Sequence, residues 1–164
     1  MNYSAYQPRP DLLKDRIILI TGAGDGIGRA AAISYALHGA TVVLHGRTLN
    51  KLEVIYDEIE SLGAPQPAIL PLQLSSASSH DYELLVSTLE QQFGRIDGIL
   101  HNAGMLGDRV ELADYPVDVW DDVMAVNLRA SFALTQALLP LLQKSEHASV
   151  LFTSSSVGRE ARAL

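Results

Sequence analysis

Between Thr21 and Gly28 the chain reads TGAGDGIG, with glycines at 22, 24, 26 and 28. Glycine adopts backbone conformations that a Cβ forbids. At the start of a helix such a turn lets backbone N–H groups close on an anion that the helix dipole also favours. The chemistry implied is phosphate or pyrophosphate binding. The turn follows an apolar run, RIILITG (16–22), and precedes GIGRAAAISYALHG (26–39), where Ile27, Ala31 and Tyr35 recur at helical spacing. That strand-turn-helix context gives a glycine pattern meaning. G-x-G-x-x-G spacing fails because position 27 is isoleucine, whereas T-G-x-x-x-G-x-G fits throughout. The plain alternative is an ordinary glycine-rich turn. A P-loop is excluded, because no G-K-[ST] follows.

Three further places carry polar groups at the ends or within apolar runs. HNAG (101–104) closes the run that begins at Arg95, Asn127 sits inside VMAVNLRAS, and Ser154 to Ser156 close ASVLFTSSS (148–156). A mid-helix asparagine is indifferent or mildly unfavourable for the helix itself, so Asn127 has either a surface or a functional reason. His101 can give or take a hydrogen bond; as a metal ligand it has no partner at useful spacing, and no metal site is expected.

The elements that must position these groups alternate. Strands are expected at 16–22, 40–46, 67–74, 95–104 and 148–156, and helices at 26–39, 48–62, 79–93 and 117–139. Gly39 is a candidate C-terminal cap and Thr48 a candidate N-cap. Pro67 and Pro71 remove ladder donors, so the third strand belongs at an edge. Strands joined by helices pair in parallel through right-handed crossovers, giving an α/β, doubly wound parallel sheet of the Rossmann type with five strands visible. Ligands of such sheets bind beyond the carboxyl ends of the strands where the winding reverses. Here that is between strands one and four, where the turns at Thr21 and Asn102 meet. Residues 1–13 read as an N-terminal extension and 14–164 as the dinucleotide-binding domain.

Composition narrows the partners. A length of 164 residues with 48% hydrophobic content supports one domain with its own core. No cysteine is present, so disulfides are excluded and a reducing, cytoplasmic setting fits. The net charge of −7 opposes nucleic acid and anionic membrane as partners. No signal-peptide pattern opens the chain, and no apolar run approaches the ~18 residues expected of a membrane span.

Taken in order, TGAGDGIG, HNAG, Asn127 and SSVG (155–158) resemble the short-chain dehydrogenase/reductase family, and within it bacterial 3-oxoacyl-carrier-protein reductase-like oxidoreductases. The resemblance implies a cofactor loop built on Thr21, Gly22, Asp25, Gly26, Ile27 and Gly28, and a cofactor floor at Asn102, Ala103 and Gly104. It further implies that Asn127 bends its helix and holds a water in a proton relay, and that Ser155 polarises a substrate carbonyl. Gln73 and Leu74 stand where the family has an aspartate and its neighbour around adenine; a glutamine carbonyl can accept the same bond.

An acidic residue about 20 positions beyond the glycine loop would select NAD through the ribose 2′-hydroxyl. The chain has His45, Gly46 and Arg47 there, so NADP(H) is preferred, with NAD(H) as the alternative. The resemblance also implies a Y-x-x-x-K pair beyond the serine, whereas each of the six tyrosines lacks a lysine four residues on. The expectation is therefore a longer parent oxidoreductase whose C-terminal part is missing here. It would act on a small carbonyl or alcohol, free or acyl-carrier-linked, as a homodimer or homotetramer. The competing reading is a catalytically silent dinucleotide-binding or regulatory module. ASFALTQALLPLL (130–142) suits either a subunit interface or the core.

Overall fold

A computed structural model describes residues 6–158. Five strands, β1 (Ile17–Thr21), β2 (Thr41–Gly46), β3 (Ala68–Pro71), β4 (Gly98–His101) and β5 (Ser149–Phe152), form one parallel sheet in the order β3-β2-β1-β4-β5. The winding reverses between β1 and β4, as expected, and β3 lies at an edge. It is shorter than 67–74, because Pro67 precedes it and Pro71 closes it. β5 likewise stops at Phe152, with the Thr153 N–H making the last bond to β4, at the His101 carbonyl.

Alternate side chains of the central strands feed two layers. Ile18, Ile20, Val42 and Leu44 pack against α1 (Gly26–Leu37) and α2 (Leu49–Ser61), which bury Ala32, Ala36, Leu52, Ile55 and Ile59. Leu19, Val43 and Ile99 face α3 (Ser79–Phe93) and α5 (Ala130–Leu142), which bury Leu85, Leu89, Leu134 and Leu138. Leu13, the last residue of the expected extension, packs against the first layer.

The helix expected over 117–139 is one path but not one α-helix. α4 (Val117–Met124) passes into a π-helical segment, Ala125–Arg129, and α5 then runs to Leu142 with Pro140 in its last turn. Widening by one residue per turn re-aims the following helix. Contrary to the expectation that no apolar run has spanning length, the 26 residues Val117–Leu142 are long and apolar enough to cross a membrane. Here Leu134 and Leu138 on one face enter the core, while Phe132 and Leu139 on another are exposed. The segment therefore serves the core and also presents an apolar surface.

The lower end of the sheet is tied by one carboxylate. Asp97 accepts bonds from the Ile17 N–H at 2.9 Å, Ser145 Oγ at 2.6 Å and Arg95 Nε at 3.2 Å, and Arg16 stands at 3.5 Å. Its own N–H and carbonyl pair with Ile17 and Ser149. Asp97, just ahead of β4, thus joins the start of β1 through its side chain and the start of β5 through its backbone.

Candidate functional site

At the upper end of the sheet the two turns meet. Thr21 is buried, and its hydroxyl donates to the Leu100 carbonyl at 3.4 Å while accepting the N–H groups of Asn102 and Ala103, each at 3.0 Å. Asn102 Nδ2 donates back to the Gly22 carbonyl at 3.4 Å, and the Ala23 N–H donates to the His45 carbonyl at 3.0 Å. Thr21 therefore holds the turns together and does not line the space above them.

The glycines divide by what a side chain would meet. At Gly22, with φ of 68°, a Cβ would lie 2.9 Å from Ala103 Cα; at Gly28 it would strike the Gly22 carbonyl. Those two allow close approach of protein to protein. Gly26 has φ of 51° and a Cβ there would meet nothing within 4 Å, so its missing side chain leaves open space over the start of α1. Asp25 caps that helix, Oδ1 accepting the Gly26 N–H at 2.8 Å. Such a cradle fits a diphosphate: glycine where the group must come close, and a helix N-terminus behind it.

The cleft above has a volume of about 520 Å³ and is lined by Gly22, Asp25, Gly26, Arg47, Gln73, Leu74, Asn102, Ala103 and Gly104 from the expected set. Gln73 Nε2 donates to Ser75 Oγ at 3.2 Å, leaving its carbonyl oxygen to accept. Arg47 has no side-chain hydrogen bond or ion pair among the described residues. Gly28 and Ile27 are not among the lining residues, and the Ile27 side chain is 66% exposed.

The Asn127 side chain bonds the loop after β4. Its Oδ1 accepts the Met105 N–H at 2.9 Å and its Nδ2 donates to the Met105 carbonyl at 2.8 Å. This two-point clasp, within the π-helical segment, fixes the loop after β4. Ser155 follows β5 and is exposed, its carbonyl accepting the Gly158 N–H at 3.1 Å; it does not line the cleft. The segment is tied to the site by Thr153, whose N–H reaches the His101 carbonyl at 2.8 Å and whose hydroxyl reaches Asn102 Oδ1 at 3.2 Å. Thr48 occupies the N-cap of α2, as expected, but makes no side-chain cap bond.

Two histidines flank Thr21 in the row across the strand ends. His101 Nε2 lies 2.7 Å from Thr135 Oγ1. That hydroxyl already donates to the Ser131 carbonyl, so His101 is the donor. Its ring stacks on Phe152 at 4.8 Å. His45 is fully buried with neither ring nitrogen paired. Desolvation pushes each pKa down to about 4, the neighbouring His101 adding to the effect at His45. Both folded values lie below the ordinary 6.5, so this stability is present above pH 6.5 and is lost as pH falls toward 4. Linkage gives about 2 kcal/mol per histidine between pH 7.5 and 5. Urea unfolding at the two pH values should show this loss, and His45→Leu should halve it while raising stability at pH 7.5 by about 1 kcal/mol or more. An unchanged pH dependence in His45→Leu would contradict the burial of a neutral imidazole.

Among the described residues no group of three or more His, Asp or Glu side chains is placed to hold a metal ion.

A parallel sheet with this reversal and a glycine cradle on its crevice defines a doubly wound α/β domain of the Rossmann type. Residues 16–164 match the profile of the short chain dehydrogenase family, and the chain belongs to that family. It is 51% identical over 158 residues to the uncharacterized oxidoreductase YciK of Escherichia coli K12, covering 96% of this chain and 63% of that protein. A crystal structure of a short chain dehydrogenase from Escherichia coli CFT073 complexed with NADPH superposes with a TM-score of 0.91 at 51% identity, covering 95% of this chain and 65% of that one. The 3-oxoacyl-[acyl-carrier-protein] reductase FabG of Thermotoga maritima is 33% identical over 146 residues, covering 89% of this chain and 58% of that protein. The chain thus spans less than two thirds of the length of these relatives.

His45, Thr48, Lys51, Met105, Asp122 and Val126 also line the cleft and were not expected there. Lys51 had a legible signal: it lies four residues after Arg47, in the first turn of a helix whose start faces the same crevice. Asp122, in α4, and Val126, inside the π-helical segment, had none.

Proposed function

We propose that the intact protein is an NADP(H)-dependent oxidoreductase that transfers hydride between a nicotinamide and a small carbonyl or alcohol. The observation that carries this reading is the Gly22–Gly26 cradle opening onto Arg47, with glycine instead of a carboxylate at position 46. The NADPH complex of the 51% identical Escherichia coli CFT073 dehydrogenase supports it. When bound, the nicotinamide supplies or accepts the hydride. Gly26 and its neighbours receive the diphosphate, Arg47 the 2′-phosphate, and the Gln73 carbonyl oxygen an adenine amino group. Asn127 acts as a positioning residue through Met105, and Ser155 is assigned to polarising the substrate carbonyl.

The likeness to FabG makes 3-oxoacyl chains, free and acyl-carrier-linked, the first substrates to assay. The exposed Leu128, Phe132 and Leu139 form the surface through which a second copy would pair, giving a homodimer or homotetramer. A cytoplasmic location belongs to the same proposal and suits the cysteine-free sequence.

Arg47→Ala tests the cofactor assignment by calorimetry. A charge-assisted contact to phosphate contributes enough that NADPH affinity should fall about tenfold, with NADH binding unchanged. Equal losses for both dinucleotides would reject the assignment.

A further inference from the structure

The rim of the cleft at the end of β2 holds three charged side chains, Arg47, Lys51 and Asp25. Asp25 is the anomaly, because a carboxylate beside a phosphate site opposes the ligand it should help to hold. Its pKa is lowered, first by the hydrogen bond from Lys51 and then by the Gly26 N–H, so it is ionised at neutral pH. Arg47 and Asp25 alone sum to zero formal charge. A doubly charged phosphate monoester would find no net attraction there.

Lys51 changes that sum. Its ammonium lies 2.8 Å from Asp25 Oδ2, with the two side chains 56% and 79% exposed. The route of its stem is specific: a Cβ on Gly24 would lie 3.1 Å from Lys51 Cβ and 3.8 Å from its Cδ. The glycine at 24 therefore leaves the lane along which Lys51 crosses from α2 to the glycine turn. No acidic residue occupies the first turn of α2, and the Thr48 hydroxyl makes no cap bond. This edge of the cleft therefore carries cations and donors on one side, with its one carboxylate already neutralised.

We propose that Lys51 is a specificity-determining residue for the phosphorylated dinucleotide. Parked on Asp25, it cancels the one opposing charge and offers its remaining ammonium protons to the 2′-phosphate beside Arg47. An ammonium has three donors on a flexible stem, so it can serve the carboxylate and a phosphate oxygen together. This rests on the NADP(H) reading above.

The test is calorimetric titration of the intact protein with NADPH and with NADH, for wild type, Lys51→Met, Lys51→Arg and Arg47→Ala. Lys51→Met keeps the stem over Gly24 and removes only the charge. It should weaken NADPH binding about tenfold and NADH binding less than twofold, with a shallower salt dependence for NADPH. Lys51→Arg should retain the preference. Unfolding temperatures should match wild type, since the side chain is more than half exposed. Equal weakening of both dinucleotides by Lys51→Met would make the lysine a packing element and overturn the proposal, as would no weakening of either. Wild type that binds both dinucleotides equally would overturn the NADP(H) reading itself. A wild-type preference that Arg47→Ala erases and Lys51→Met leaves intact would remove Lys51 alone.

Discussion

Gly28→Ala is expected to abolish measurable dinucleotide binding and to cost about 3 kcal/mol of stability. The added methyl would strike the Gly22 carbonyl and lie 2.7 Å from Asn102 Nδ2, the two groups that bond each other across the turns. Neither is the far end of a flexible side chain free to move aside. Gly22 is backbone at φ of 68° against Ala103, and Asn102 is tied to Thr153. Relief of the overlap must therefore shift the glycine turn away from β4 and open the cradle. Gly26→Ala is the control, because its methyl would touch no protein atom and would project into the open cradle. That variant should lose about 1 kcal/mol for its left-handed backbone while still losing dinucleotide affinity. Urea unfolding and calorimetry on the pair separate the roles: a clash in the fold for Gly28, a blocked ligand for Gly26. Equal stability for the two variants would contradict the division of the glycines.

Asp97→Ala is expected to destabilise the fold by about 2 to 3 kcal/mol, the cost of leaving buried donors without their acceptor. The side chain is 3% exposed, and its removal strands the Ile17 N–H and the Ser145 hydroxyl, while the partly exposed guanidinium groups of Arg16 and Arg95 turn to solvent. Burial alone would raise the carboxyl pKa. The bonds from Ser145, the Ile17 N–H and Arg95 outweigh it and leave the value below the ordinary one. A lowered folded pKa means this stability is complete above the ordinary carboxylate range and is lost on acidification through the folded value. Asp97 and the two histidines therefore weaken the fold in the same direction at different pH. Urea unfolding of Asp97→Ala at pH 7.5 checks the magnitude, and a cost below about 1 kcal/mol would show that the cluster is solvated and weak.

How far the sequence spoke depends on how local each determinant is. α3 is legible at both ends, because Ser78 and Asp81 form a capping box and Gly94, at φ of 75°, ends it in the left-handed region. The glycine turn was legible because its requirement is a missing side chain, which a sequence states directly. The π-helical segment at Ala125–Arg129 has no proline or glycine to announce it. What accompanies it is Asn127 clasping Met105, a contact 22 residues apart. His45 shows the same limit. Alternation made it a strand residue, but only the pairing of β2 with β1 and β3 buries its ring with both nitrogens unpaired. Lys51 shows in the sequence only as a lysine four residues after Arg47, and its path over Gly24 exists only once α2 folds back against the glycine turn.

The central claim concerns where the diphosphate sits, and a crystal structure of the intact protein grown with NADPH measures that directly. The account predicts diphosphate oxygens within hydrogen-bond distance of the backbone N–H groups at the start of α1, the adenine beside Gln73 and the 2′-phosphate against Arg47. Density for the dinucleotide elsewhere, or bound here with its adenosine half over β4, would contradict it.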